Sequence, residues 1–361
     1  MGRNGARRER KTAMGPQETS ASRATSRRAL HAAKGWSVQA GERVRRHVRR
    51  NGGRAGLWLL ALLLLAACGG GAGSGEKAAK DGRIRVMTTI AQIAEPVSVI
   101  GGDRVDVEPL MGPGVDPHLY NATQRDIRKL AEADVVFYSG LHLEANMIRG
   151  FDEMGKSKPV LGIAETLPRG KLLTDEEGAT DPHVWFDIDL WKEALAAATE
   201  QLKQLSPQDA DAFEANKNAY FAQLDALKEE ATAKMSQIPK EKRVLVTAHD
   251  AFGYFGRMLD MEVVGLQGLS TEDEIGLTDI ERTIELLVER RVPAVFVESS
   301  INPASIQAVI EGAKKRGLNV KLGGELFSDA MGEAGTPEGT YIGMYRHNVE
   351  VIYNALTGEG E

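Results

Sequence analysis

LSPQDADAFEANKNAYFAQLDALKEEATAKMSQIP, residues 205–239, decides how the rest of the chain is divided. Ser206 and Asp209 stand at the spacing of a capping box, and Pro207 takes the first helical position, where its missing N–H costs nothing. Phe213, Tyr220, Leu224, Leu227, Ala231 and Ile238 recur at steps of three, four or seven, an apolar stripe that Pro239 terminates. A helix of about 32 residues at 1.5 Å per residue reaches roughly 48 Å, longer than one half of a chain this size needs internally. The stretch therefore reads as a spine between two halves. His118 and His183, each in an Asp-Pro-His triplet, precede it, while His249 and Asp329 follow it. Any site that uses all four has to lie between the halves.

Outward from the spine, apolar runs of strand length alternate with helical periodicity. Strands are predicted over 84–88, 105–110, 134–139 and 160–163, with helices over 90–100, 123–132, 143–154 and 190–205. After the spine the rhythm resumes with strands over 243–248, 262–266, 294–297 and 320–322, and helices over 251–259, 277–290, 303–316 and 339–356. Such alternation predicts an α/β fold of two lobes with mainly parallel sheets, 83–205 and 240–361, joined by the long helix at 206–239. No repeat of 20 to 50 residues is present.

The net charge of −6 conceals a division. Residues 1–67 hold 15 Lys and Arg against 3 Asp and Glu, and the remainder holds 30 against 48, so the two parts carry +12 and −18. An acidic body repels phosphate backbones and excludes nucleic acid as a partner, whereas a cation is attracted. The chain has a single cysteine, Cys68, which excludes an intramolecular disulfide and a paired-cysteine metal knuckle. The apolar run 57–67 follows Arg45, Arg46, Arg49, Arg50 and Arg54, and is too short to span a bilayer but suits a signal-peptide core. Leu65-Ala66-Ala67-Cys68 resembles a bacterial lipobox, whose cysteine is lipidated and becomes the mature N-terminus. Residues 1–67 thus read as a signal peptide with an extended basic leader, and 68–82 as a lipidated cysteine with a Gly-rich tether.

One motif match fails on context. Gly150-Phe-Asp-Glu-Met-Gly-Lys-Ser157 satisfies the phosphate-loop pattern, yet it follows a helical segment, runs into Pro159 and places Asp152 and Glu153 beside the supposed phosphates. It reads as a helix C-terminus ending near Gly155. The two Asp-Pro-His triplets carry more. Proline fixes its own φ and biases the preceding aspartate to extended geometry, so each histidine is presented from a stiff turn, which suits a metal ligand although a polar turn also explains either triplet alone. His249 stands at the carboxyl end of an apolar strand, where open α/β sheets bind ligands, although a core histidine satisfied by backbone fits too, and Asp329 follows another strand, where it also suits a helix N-cap. His142 and His347 lack such presentation and read as structural.

Taken together, the two Asp-Pro-His motifs, His249-Asp-Ala-Phe-Gly-Tyr-Phe255, Gly265-Leu-Gln-Gly-Leu-Ser-Thr271, Phe296-Val-Glu-Ser-Ser300 and Gly324-Glu-Leu-Phe-Ser-Asp-Ala-Met-Gly332 occur in one order. In that order they resemble the TroA-like solute-binding lipoproteins of zinc and manganese ABC transporters. The resemblance runs from about residue 83 to 356. It implies two lobes joined by one rigid helix, with a divalent metal in the interlobe cleft held by His118 and His183 from the first lobe and His249 and Asp329 from the second. It further implies a monomer on a lipid anchor at the outer face of the cytoplasmic membrane or in the cell envelope, delivering Zn²⁺ or Mn²⁺ to an ABC permease and its ATPase. Some manganese-selective members have glutamate at the third ligand, where this chain has His249, and many zinc-specific members fill the loop before the second ligand with histidines, where residues 174–180 have none. Two other functions share the residues. A zinc hydrolase also uses three histidines and a carboxylate, but four protein ligands leave no open position and no His-Glu-x-x-His base is present. A surface adhesin would use exposed faces and be indifferent to the metal.

Overall fold

The computed structural model describes residues 82–359. Cys68, the signal segment and the tether up to residue 81 lie outside the described residues. In the first lobe, β1 (Ile84–Thr88), β2 (Val105–Pro109), β3 (Val135–Tyr138) and β4 (Val160–Gly162) form one parallel sheet in the order β2-β1-β3-β4. Val86 of β1 sits opposite Val107 on one side and Val135 on the other. The connections are helical: α1 (Ala91–Gly101), α2 (Gln124–Glu132) and α3 (Ile148–Gly155). Thr123 caps α2 through a reciprocal capping box with Asp126. The phosphate-loop look-alike is the end of α3, as its context requires. The order turns back at β1, and the crevice beyond the carboxyl ends of β1 and β3 is where such sheets bind ligands.

The helix α4 (Ile188–Leu205) begins two residues earlier than its periodicity suggests, because Asp187 accepts hydrogen bonds from the amides of Asp189 and Leu190. The spine follows as α5 (Ala210–Met235). It is shorter than the stretch 206–239 and spans about 39 Å at 1.5 Å per residue. At its start Pro207–Asp209 is a 3-10 turn, and Ser206 Oγ donates to Asp209 Oδ2 at 2.6 Å instead of capping an amide. At its end residues 236–239 form a turn that keeps Ile238 buried. The predicted stripe is the buried face: Phe213, Tyr220, Leu224, Leu227 and Ala231, joined by Met235.

The second lobe holds β5 (Val244–His249), α6 (Gly253–Leu259), β6 (Glu262–Gln267), α7 (Leu277–Arg290), β7 (Ala294–Glu298), α8 (Ala304–Lys315), β8 (Lys321–Leu326) and α9 (Tyr341–Thr357). Its strands form two parallel pairs, β5-β6 and β7-β8. β5 and β7 are linked at the site end by a side chain: Glu298 Oε1 accepts the His249 amide at 2.9 Å.

The spine joins the lobes by different halves. Asn216 donates to the Ile100 carbonyl at 3.0 Å and Tyr220 to Glu95 at 3.1 Å, both on α1. Farther along, Glu230 takes a bidentate pair from Arg346 of α9, the nearest contact at 2.8 Å. Between them lies an aromatic core shared by both lobes. Phe186 stacks on Phe252 with centroids 4.6 Å apart, and Phe255 meets Tyr345 at 5.5 Å. Tyr341 and Tyr345 satisfy their buried hydroxyls on the carbonyls of Trp185 at 2.6 Å and Phe186 at 3.0 Å. Those carbonyls belong to the turn that carries His183.

Candidate metal centre

Four elements deliver the four predicted side chains to one point. His118 comes from the loop after β2, His183 from the turn before α4, His249 from the last position of β5, and Asp329 from the loop after β8. Their potential ligand atoms all lie within 4.8 Å of one another, and all four residues are buried. The Nε2 atoms of His118 and His249 are each 3.4 Å from His183 Nε2. Asp329 lies 3.7, 3.3 and 3.2 Å from the Nε2 atoms of His118, His183 and His249 respectively. Ligands at 2.0–2.1 Å in a tetrahedron are separated by about 3.3 Å, so the spacing is that of donors around a transition metal.

The carboxylate is the decisive member. Both Asp329 oxygens are fully buried and accept no hydrogen bond, because the nearby Nε2 atoms stand off the donor line. A buried carboxylate needs positive charge beside it, which the imidazoles can supply in the metal-free protein and a bound cation would supply in their place. Burial opposes a charge on Asp329, but the surrounding imidazoles, His249 foremost, hold its carboxyl pKa well below the usual carboxylate range.

The histidines are oriented from behind. Asp181 Oδ1 accepts from His183 Nδ1 at 2.8 Å, and Glu298 Oε2 lies 2.6 Å from His249 Nδ1, off the ideal hydrogen-bond line. Each carboxylate favours the tautomer that leaves Nε2 free to donate electrons to a metal. Burial lowers basicity at both rings, yet these contacts outweigh it, raising His183 to about 9 and His249 well above its ordinary value. Among the described residues His118 has no such acid behind it, and burial pushes it down to about 4.

A family profile described as zinc-uptake complex component A, periplasmic, matches residues 86–355. The chain belongs to the zinc-uptake component A family. It is 49% identical over 299 residues to the manganese-binding lipoprotein MntA of Bacillus subtilis, with 82% of this chain and 97% of that protein covered. The zinc-binding protein TroA of Treponema pallidum is 46% identical over 281 residues, covering 78% and 91%. The solved structure of that periplasmic protein superposes with a TM-score of 0.75, over 76% of this chain and 99% of its own. The family is one of solute-binding uptake components, and its two-lobe α/β fold with a long helix is the fold found here.

In this chain His142 and His347 stand outside the centre. His142 is exposed, and His347 Nε2 meets the Glu325 carbonyl at 3.0 Å. Glu298 escaped the sequence reading of the site. Its motif was visible, but strand alternation gives no sign that a carboxylate at the end of β7 will sit behind a histidine of β5. Asp181 was visible only as a turn residue. No helix among the described residues is long and apolar enough to cross a membrane.

Proposed function

We propose that the protein is the extracytoplasmic solute-binding component of an ABC importer for a divalent transition metal, with His118, His183, His249 and Asp329 as the ligands. The observation that carries this reading is a buried carboxylate without hydrogen-bond donors, 3.2–3.7 Å from three imidazole Nε2 atoms. No covalent chemistry is required, and four protein ligands favour holding over turnover. The cation passes to a membrane permease driven by a cytoplasmic ATPase, the protein acting as a monomer. The relatives above are named for different metals, so the choice rests on this chain's own donors. Three imidazoles and one carboxylate suit Zn²⁺ well and accommodate Mn²⁺, with the affinity order favouring zinc.

Metal analysis of the untagged, chelator-stripped protein, followed by competitive calorimetric titration with Zn²⁺ and Mn²⁺, tests the reading. One tight site per chain is expected, lost in His118→Ala; a parent that binds neither cation overturns it. The anchor is tested separately. Cys68→Ala should fold and bind metal normally but leave the membrane fraction, and a variant processed and retained like the parent would exclude lipidation at this thiol.

A further inference from the structure

The two Asp-Pro-His turns are built alike but tied differently. In each, the aspartate Oδ1 accepts the histidine backbone N–H at 2.9 Å. Asp181 then also reaches the ring of its own His183, and its turn is pinned to the second lobe along the backbone, the carbonyls of Asp181, Trp185 and Phe186 accepting the hydroxyls of Tyr254, Tyr341 and Tyr345. Asp116 instead uses Oδ2 to accept the Thr271 hydroxyl at 2.6 Å. Thr271 belongs to the second lobe, in the segment 268–276 between β6 and α7.

A second bond reaches the same segment. Asn146 Nδ2 donates to the His118 carbonyl at 3.2 Å and to Glu272 Oε1 at 3.3 Å. Asn146 is itself firmly placed. Its turn begins with three successive left-handed residues, Gly140, Leu141 and His142, at φ of 88°, 54° and 70°. Two of these are strained for side-chain-bearing residues, and the turn is held because the buried Glu144 carboxylate accepts the amides of Ser139 and Gly140 at 2.8 and 3.0 Å.

The second-lobe side is equally fixed. Gln267 Nε2 donates to the carbonyls of Thr271, at 2.8 Å, and Asp273. In the β5-β6 register Gln267 stands opposite His249. A path of pairing and hydrogen bonds therefore runs His249, Gln267, Thr271, Asp116, His118, joining a donor of one lobe to a donor of the other without passing through the centre. It ends on His118, which retains 3% exposure while His183 and His249 retain none. Asp116 and Thr271 also form part of the wall of a surface cavity of about 470 Å³.

We propose that Thr271, assisted by Asn146, is a positioning residue that clasps the His118 turn against the second lobe, and that breaking this clasp sets the rate at which the cation leaves. The proposal rests on the reading of the four residues as metal ligands. His118 is the donor nearest solvent, and among the described residues its turn is hydrogen-bonded to the other lobe only through the side-chain bonds of Thr271 to Asp116 and Asn146 to Glu272. Buried tyrosine hydroxyls pin the backbone of the His183 turn, so withdrawal of His118 opens the centre while the other three ligands keep their supports. A hydroxyl bonded to a carboxylate at 2.6 Å is a charge-assisted bond. Its loss acts on the escape of the ligand more than on encounter.

The test uses the full chain loaded with Zn²⁺ and mixed rapidly with excess chelator. Thr271→Val, which removes the hydroxyl at nearly constant volume, should release Zn²⁺ about tenfold faster, equivalent to about 1.4 kcal/mol, with association changed less than about threefold. Thr271→Ser should restore the parent rate, and Asn146→Ala should accelerate release to a smaller extent. The Co²⁺ absorption spectrum and the melting temperature of the stripped protein should match the parent in all three. Release from Thr271→Val within about twofold of the parent overturns the clasp, as does an altered Co²⁺ spectrum, which would make Thr271 a determinant of the ligand set itself. A parent that takes up no Zn²⁺ removes the metal reading and the clasp with it. A parent that binds, beside a Thr271→Val that releases no faster, removes the clasp alone.

Discussion

His249 is the position at which a single side chain sets the character of the centre. A neutral nitrogen there, in place of an anionic oxygen, makes the donor set softer and less negative by one charge, which favours Zn²⁺ over Mn²⁺. His249→Glu should therefore lower the ratio of zinc to manganese affinity, and His249→Ala should weaken both by opening a coordination position. The exposed His142 supplies the control, since His142→Ala should leave both affinities near the parent values. Competition calorimetry decides; a His249→Ala protein equal to the parent would remove His249 from the ligand set. The four converging residues were legible in the sequence chiefly through the order of motifs that carries the family resemblance, since a stiff turn or a strand end alone also fits a structural histidine or a helix cap. The groups behind them were not. Glu298 and Thr271 act across strands and lobes, and such partnerships have no local periodicity to betray them.

Helices carry the division into lobes, and their electrostatics can be tested apart from the metal. Glu214, on α5, bridges Lys203 of α4 at 2.7 Å and Lys217 of its own helix at 2.7 Å. The bond to Lys203 and then that to Lys217 hold its carboxyl down to about 2. A carboxylate depressed in the folded state stabilises it above the unfolded pKa and loses that contribution as pH falls through the folded one. The melting-temperature difference between the parent and Glu214→Gln should thus be small but present at pH 7 and shrink from about pH 5 towards pH 2. A difference independent of pH over that interval would show that the two lysines do not set the Glu214 acidity. At this scale the sequence overstated the spine by several residues. The stripe of Phe213 to Ala231 was read correctly as a buried face, but Ile238 is buried from a turn beyond the helix. Burial alone cannot distinguish a last helical turn from the turn that follows. The split of the second lobe into two strand pairs was likewise invisible, because pairing is set between strands far apart in the chain and leaves no mark on the periodicity within each.

The whole molecule couples metal, protons and stability through one buried cluster braced by a shared core. The turn bearing His183 is pinned by Tyr341 and Tyr345 of the second lobe, and the aromatic cluster around Phe186 and Phe252 crosses between lobes. Such a core disfavours wide separation of the lobes and leaves exchange to local changes near His118. Protons compete for the same atoms as the cation. With His183 raised to about 9, its ring is charged at pH 7, while His118, pushed down to about 4, is neutral. On the proposed ligand set a metal would take Nε2 and leave Nδ1–H on Asp181, so binding at pH 7 would eject the Nε2 proton of His183, and that of His249, whose basicity is also raised. Calorimetry of Zn²⁺ binding in two buffers of different protonation enthalpy should therefore report release of about one to two protons per ion. The sign for stability follows. A histidine raised in the folded state stabilises the metal-free protein fully below the unfolded pKa of about 6.5 and loses this as pH rises towards its folded value. The metal restores a positive charge at the same place, so the gain in melting temperature on adding Zn²⁺ should widen from pH 6 to pH 8.5 and narrow in acid. Binding without proton release, or a thermal gain constant across that range, would mean that His183 and His249 are not charged in the metal-free protein and that the carboxylates behind them orient the rings without holding protons on them.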